Sequence, residues 1–143
     1  MPKIVFFLCL LVLSQNAVAN TIITCGPNAG HAFYFPGIIV KAKDAGWHKD
    51  GTKDGKTALT VNGKQIDVLF ADATGNLNSA ISTGGQVVVL GESGPWVTVL
   101  VNYPKKTVEL YTFNLQSKTY AMSSHKYGES PIQKAATFTG KCF

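Results

Sequence analysis

Arginine is absent from this chain: all thirteen basic side chains are lysine, set against eight acids for a formal net charge of +5. An arginine fork supplies the commonest specific contact to guanine edges and the planar clamp for phosphate, whereas a lysine ammonium is only a point charge. The absence weighs against a sequence-specific nucleic-acid partner. Apart from the pair Lys105-Lys106, the lysines are scattered singly, which reads as a solvated, mildly cationic surface rather than a polyanion groove. Charge of either sign is sparse at 15% of residues while 45% are hydrophobic, so the chain is too apolar to be intrinsically disordered. There is no linker, internal repeat or low-complexity stretch, and one domain is expected.

Long apolar runs are also missing, with one exception at the start. Met1-Pro2-Lys3 carries a positive charge, Ile4 to Leu13 is a ten-residue apolar run, and Ala17-Val18-Ala19 is a small-x-small site before Asn20. This is the pattern of a cleaved secretory signal peptide over residues 1–19. At ~1.5 Å per residue the run spans roughly half of a bilayer core, which makes a permanent transmembrane helix the weaker reading. No transmembrane segment is expected in the mature chain, residues 20–143, which keeps twelve lysines and eight acids. Lipidation at Cys25 is the weaker alternative, because Thr24 replaces the small residue that usually precedes a lipidated cysteine. The expected location is the periplasm or the extracellular medium.

Cysteine is scarce, and loss of the leader takes Cys9 with it, leaving Cys25 and Cys142. In an oxidising compartment two thiols in a small exported domain are more often joined than free, so a disulfide between them is expected to staple the two ends of the domain. Neither a close Cys-x-x-Cys redox pair nor the clustered ligands of a structural zinc site is present.

Helical periodicity is missing as well. From residue 57 onward apolar and polar residues alternate in short β-branched segments, broken by Gly, Asn, Pro or Ser every 8 to 12 residues. The strongest local pattern is a hairpin over 57–71 around an Asn62-Gly63 type I′ turn. Residues 77–82 form a weaker segment. Gln86 to Leu90, with Val87, Val88 and Val89 in succession, reads as a strand buried on both faces. Trp96–Tyr103, Thr107–Leu115 and Lys118–Ser124 form a three-strand meander. Ala32–Phe35 and Ile38–Lys43 read as strands split at Pro36-Gly37, and Ala135–Lys141 as a closing strand. The fold expected is all-β: a single small antiparallel barrel or two-sheet sandwich of about eight strands.

Catalytic constellations are not found. Gly91-Glu92-Ser93-Gly94 places its second glycine one residue too early for a nucleophile elbow, and no helix follows. His31, His48 and His125 stand far apart with no metal-ligand spacing. Asp67 and Glu109, the strand-borne acids, fall opposite the apolar series of their own hairpin arms and read as solvent-facing salt-bridge positions rather than a hydrolytic pair. The segment Asp44 to Lys56 is the most unusual. It holds Trp47, His48, Asp50 and Asp54 among three glycines, but an EF-hand counted from Asp50 has Thr52 at its third position and, at its twelfth, Val61 where a Glu should be. It reads as a loop presenting Trp47, His48, Asp50 and Asp54 to a partner, with no metal and no cofactor. Trp47 could equally plug the core; Trp96, at a strand start, reads as core.

Gly46-Trp47, Gly55-Lys56, Asp67-Val68-Leu69-Phe70-Ala71-Asp72, Gly84-Gly85-Gln86-Val87 and Tyr103-Pro104 through Glu109-Leu110-Tyr111-Thr112-Phe113 resemble a group of small exported bacterial proteins of uncharacterised function. The resemblance spans most of the mature chain. It implies a bacterial source and an extracytoplasmic place, and no activity, ligand or site. Size, export and terminal cysteine alone are also similar to the small β-barrel lysozyme inhibitors of the bacterial envelope. The function expected is that of a non-enzymatic, disulfide-closed binding protein for a protein or envelope component. The alternative is a small-molecule carrier with an apolar ligand inside a barrel; a hydrolase comes third.

Overall fold

The computed structural model describes residues 19–71 and 75–143; the signal-peptide reading falls almost wholly outside them. No helix among the described residues is long and apolar enough to cross a membrane. The chain is all-β. Its strands are β1 (Asn20–Tyr34), β2 (Gly46–Thr52), β3 (Thr57–Asn62), β4 (Gln65–Ala71), β5 (Leu77–Ser79), β6 (Gln86–Ser93), β7 (Trp96–Tyr103), β8 (Thr107–Asn114), β9 (Thr119–Lys126) and β10 (Lys134–Cys142). All pairings are antiparallel. Nine strands follow one another across a single sheet in the order β5-β4-β3-β1-β10-β9-β8-β7-β6, and β2 pairs with β1 beside that path.

The sheet curls into a half-barrel rather than closing. Its ends approach through the segment after β5, where the Ala80 N–H donates to the Val68 carbonyl (2.9 Å) and the Gly85 N–H to the Ala80 carbonyl (2.8 Å). No strand ladder joins β6 to β4 or β5 among the described residues. The expected closed barrel or two-sheet sandwich of about eight strands is thereby corrected to one open, curled sheet. Inside the curl, Ile23, Leu59, Val68, Val97, Val99, Val101, Tyr111, Phe113 and Tyr120 form the main core. Tyr111, Phe113 and Tyr120 stack in a row, with centroid separations of 6.1 and 5.8 Å.

The 57–71 hairpin and the three-strand meander stand where the alternation places them. The hairpin turn is shifted by one residue. Asn62 pairs with Gln65, so the two-residue loop is Gly63-Lys64, with positive φ at Gly63 and not at Lys64, the pattern of a type II′ turn. Three other expectations are corrected. Residues 20–34 form one long strand, whereas 38–43 hold no strand and lead into a one-turn 3₁₀ helix, Ala42–Asp44. The glycine-rich segment 44–56 contains β2. Finally β6 is an edge strand, not a doubly buried one: Val88 and Leu90 are 49% and 56% exposed, because among the described residues no further strand or layer covers that end of the sheet.

Strand β1 organises the molecule. Residues 20–25 pair with β3, residues 28–34 pair with β2, and the opposite edge pairs with β10. A bulge between Cys25 and Asn28 inserts Gly26-Pro27 and changes which parity faces inward, as a bulge must. Ile23 and Cys25 point into the core before it, and Ala32 after it. Cys25 stands opposite Cys142 of β10, and the two are joined in a disulfide, in keeping with an oxidising compartment.

Outside the curl, Asp67 is no salt-bridge residue. Its carboxylate accepts the N–H groups of Val68 (2.8 Å) and Ile81 (3.3 Å) and the Ser79 hydroxyl, fastening the turn after β5 to β4.

Candidate functional site

The alternation of β2 divides the four residues expected to meet a partner between two faces. Trp47 points outward, 70% exposed, with its ring edge-on to Phe33 at 5.6 Å; Phe33 in turn meets Phe35 at 5.0 Å. The three rings form an aromatic platform; exposed Lys49 shares the Trp47 face of β2, and the exposed Ile38, Ile39, Lys41 and Lys43 follow Phe35 in the chain, Ile39 lining a hollow with Tyr34 and His48. Trp47 is therefore no core plug.

His48 and Asp50 stand on the other side of β2, opposite Ala32 and Gly30 of β1. The His48 ring lies edge-on to Tyr34 at 5.7 Å, and its Nε2 is 3.1 Å from the Asp44 carbonyl oxygen. Asp50 Oδ2 accepts from Lys134 Nζ at 2.6 Å and from the Tyr34 hydroxyl at 2.8 Å, while Oδ1 accepts the Gly51 N–H. Asp50 thus holds β2 to β1 and β10 and is no free partner contact. Asp54 is exposed in the turn after β2. The structure does not bring the four together.

The inner face also holds a residue that the sequence placed wrongly. Glu109 is not solvent-facing: it sits opposite Val101 and Ser124 on the inner side of the curl, and the Tyr111 hydroxyl donates to its Oε2 at 2.8 Å. In β8 apolar residues occupy both faces, Val108 and Leu110 on one and Tyr111 and Phe113 on the other, so alternation alone cannot choose. The stacked Tyr111-Phe113-Tyr120 row chooses, and it carries Glu109 inward. Around Glu109 lie two adjoining hollows of about 290 and 200 Å³. Both are lined by Asn28, Thr52, Glu109, Met122 and Lys126.

Burial pushes the Glu109 carboxyl above its ordinary value, partly offset by the Tyr111 hydrogen bond, the Lys126 charge and the nearby Ser124 hydroxyl. Burial and the Glu109 carboxyl together push the Tyr111 hydroxyl well up, so it remains a neutral donor. At Asp50 burial acts upward too, but the hydrogen bonds from Lys134, Tyr34 and the Gly51 N–H outweigh it and hold that carboxyl below its ordinary value.

The two acids therefore act oppositely on stability. A lowered folded value means that the unfolded chain binds the proton better, so the Asp50 contribution is present above the ordinary carboxyl range and is lost as pH falls through the folded value. A raised folded value means that the contribution of Glu109 is present at acid pH and is lost as pH rises through the carboxyl range toward its folded value. Urea unfolding across a pH series is expected to show Asp50→Asn flattening the acid limb alone and Glu109→Gln flattening the fall above it. Identical pH profiles for Glu109→Gln and the parent would show that Glu109 is not desolvated.

Away from both places, a larger hollow, about 940 Å³, runs along the outside of the sheet between Trp96 and Phe143. Trp96 is 49% exposed and forms a wall of this groove rather than part of the core, because its side chain leaves β7 on the outer face, opposite that of Val97.

No known protein family, curated protein or solved structure matches this chain.

Proposed function

We propose that the chain works outside the cytoplasm as a non-enzymatic binding protein, gripping a protein or another envelope component on the Phe33-Phe35-Trp47 platform. The observation that carries this is Trp47, which stands 70% exposed while held edge-on by Phe33. A large aromatic already fixed in the open has little conformational freedom left to lose on binding, and such residues supply a disproportionate share of interface energy. Ile38 and Ile39, on the segment that leaves Phe35, are 102% and 57% exposed and add further apolar surface open to a partner. Lys49, on the same face of β2 as Trp47, and the exposed Lys41 and Lys43 before β2 suit a partner with negative charge, which they would steer without adding much affinity.

Deleting the whole 44–56 segment is not the way to test this, since β2 and the Asp50–Lys134 tie would go with it. A single substitution serves. With parent and variants immobilised and exposed to solubilised envelope, Trp47→Ala is expected to weaken capture of the bound component by roughly 30-fold, about 2 kcal/mol for a central aromatic. Its urea midpoint should stay that of the parent. Trp96→Ala, at the far groove, should leave capture unchanged; the reverse ranking would move the site to the groove.

A further inference from the structure

We propose that the inner cleft around Glu109 binds a small zwitterion, a molecule of free amino-acid size carrying one ammonium and one carboxylate. The site is independent of the outer platform, and either can fail without the other. Ser124, 2% exposed, has the one buried side-chain polar atom without a hydrogen-bond partner among the described residues. Its hydroxyl lies close enough to favour the ionised Glu109 yet falls short of hydrogen-bonding geometry, and it lines the smaller hollow. A buried hydroxyl left unsatisfied costs stability unless something enters to meet it.

The charges around it are specific. Lys126 and Lys134 stand directly opposite one another on the inner face, an unfavourable pairing of like charges. Lys134 is neutralised by Asp50 at 2.6 Å. Lys126 and Glu109 are diagonal neighbours across β8 and β9, and no ion pair joins them among the described residues. An ammonium and a carboxyl, neither in a salt bridge among the described residues and the carboxyl held on one side by Tyr111, thus look into one cleft. A zwitterion satisfies both: its ammonium donates to Glu109 and Ser124, and its carboxylate accepts from Lys126. A neutral sugar could hydrogen-bond both groups but would compensate neither charge, and a simple anion would face the Glu109 carboxyl. Met122 and Phe138 supply an apolar wall for the ligand's side chain.

Met1 apart, Met122 is the chain's only methionine, so a ¹³C-methyl label reports on the cleft alone. Protein carrying that label is titrated with leucine, with isoamylamine, which lacks the carboxylate, with 4-methylvalerate, which lacks the ammonium, and with glucose. Leucine is expected to give a saturable shift of the Met122 methyl, and each single-charge analogue to bind about tenfold or more weakly, the worth of one charge-assisted hydrogen bond. Glu109→Gln should remove the preference for leucine over 4-methylvalerate, and Lys126→Gln that over isoamylamine; circular dichroism checks that each variant is folded, and either folded variant suffices. No saturable shift with leucine, tighter binding of glucose or of either analogue, or a preference unmoved in a folded variant would overturn the proposal.

Discussion

Replacing both bridged cysteines, Cys25→Ala with Cys142→Ala, is expected to cost about 4–5 kcal/mol of stability without altering the folded structure. The bridge closes a loop of 117 residues in sequence separation, and the chain-entropy account of so long a loop gives a loss of that size. Such a loss is a large part of the ~5–15 kcal/mol available to an ordinary domain, and lowers the melting temperature by roughly 10–25 °C. The folded state should survive because the bridge does not by itself bring the two ends together. From Asn28 to Tyr34, β1 pairs residue by residue with β10, in the middle of the sheet and not at an edge. The effect therefore belongs mainly to the unfolded chain. Urea unfolding of the variant should show a lower midpoint together with a steeper dependence on denaturant, since an uncrosslinked unfolded chain exposes more surface. Refolding should slow as well, because the β1–β10 ladder is the longest-range pairing in the molecule and its closure entropy is no longer prepaid by the crosslink. A loss below about 1 kcal/mol, against the 2–5 kcal/mol usual for a native bridge in a small domain, would mean that the unfolded chain already holds its ends close.

The parts of this fold that could be read along the chain are those where one face of a strand is apolar and the other is not. Leu59, Val68 and the β7 series Val97, Val99 and Val101 alternate cleanly, and their strands lie where the pattern puts them. The pattern fails wherever both faces carry apolar side chains or neither does. Val87 to Leu90 looks doubly buried in sequence, but whether a strand is central or at an edge depends on which strands flank it, a property of topology. At β8 the same ambiguity hid Glu109, and with it the cleft: Val108 and Leu110 compete on paper with Tyr111 and Phe113, and only the inward stack with Tyr120 settles the face. A signal was available in the Glu109-x-Tyr111-x-Phe113 spacing, which puts a carboxyl on the same side as two large aromatics. The candidate loop failed for a different reason. Glycine and aspartate in 44–56 carry turn propensity, which is a weak guide when pairing to β1 is offered by the rest of the molecule. Once β2 is a strand, period two sends Trp47 one way and His48 and Asp50 the other, so a site imagined as one loop becomes two faces.

Glycines in β1 and β10 blur the ends of the chain most, and they carry the second large expected effect. Gly30→Ala should destabilise the protein by about 3 kcal/mol or more, at the upper end of overpacking costs, whereas Gly91→Ala should change stability by only ~0.5 kcal/mol in either direction. Both glycines lie within strands, and neither has positive φ, so backbone preference does not separate them. Space does. A Cβ at Gly30 would overlap the Thr137 carbonyl oxygen and come within 2.8 Å of the Phe138 Cα, both backbone atoms of the neighbouring strand, whereas a Cβ at Gly91 meets nothing within 4 Å. Backbone cannot step aside as a side-chain tip can, so the β1–β10 ladder itself would have to part at the Gly30–Phe138 pair. Gly140 shows the same crowding, its Cβ position lying 2.9 Å from the Pro27 carbonyl oxygen and against the Tyr120 ring. Close approach of backbone at both positions is expected to let the sheet curl tightly there, above the cleft that Phe138 helps to line. Urea midpoints of the two variants, measured side by side, check this: equal losses would show that the sheet relaxes around an added methyl and that the curl does not depend on glycine. If Gly30→Ala alone is destabilised, the Met122 methyl resonance should move with it, because Phe138, paired with Gly30, shares the wall of the Glu109 cleft with Met122.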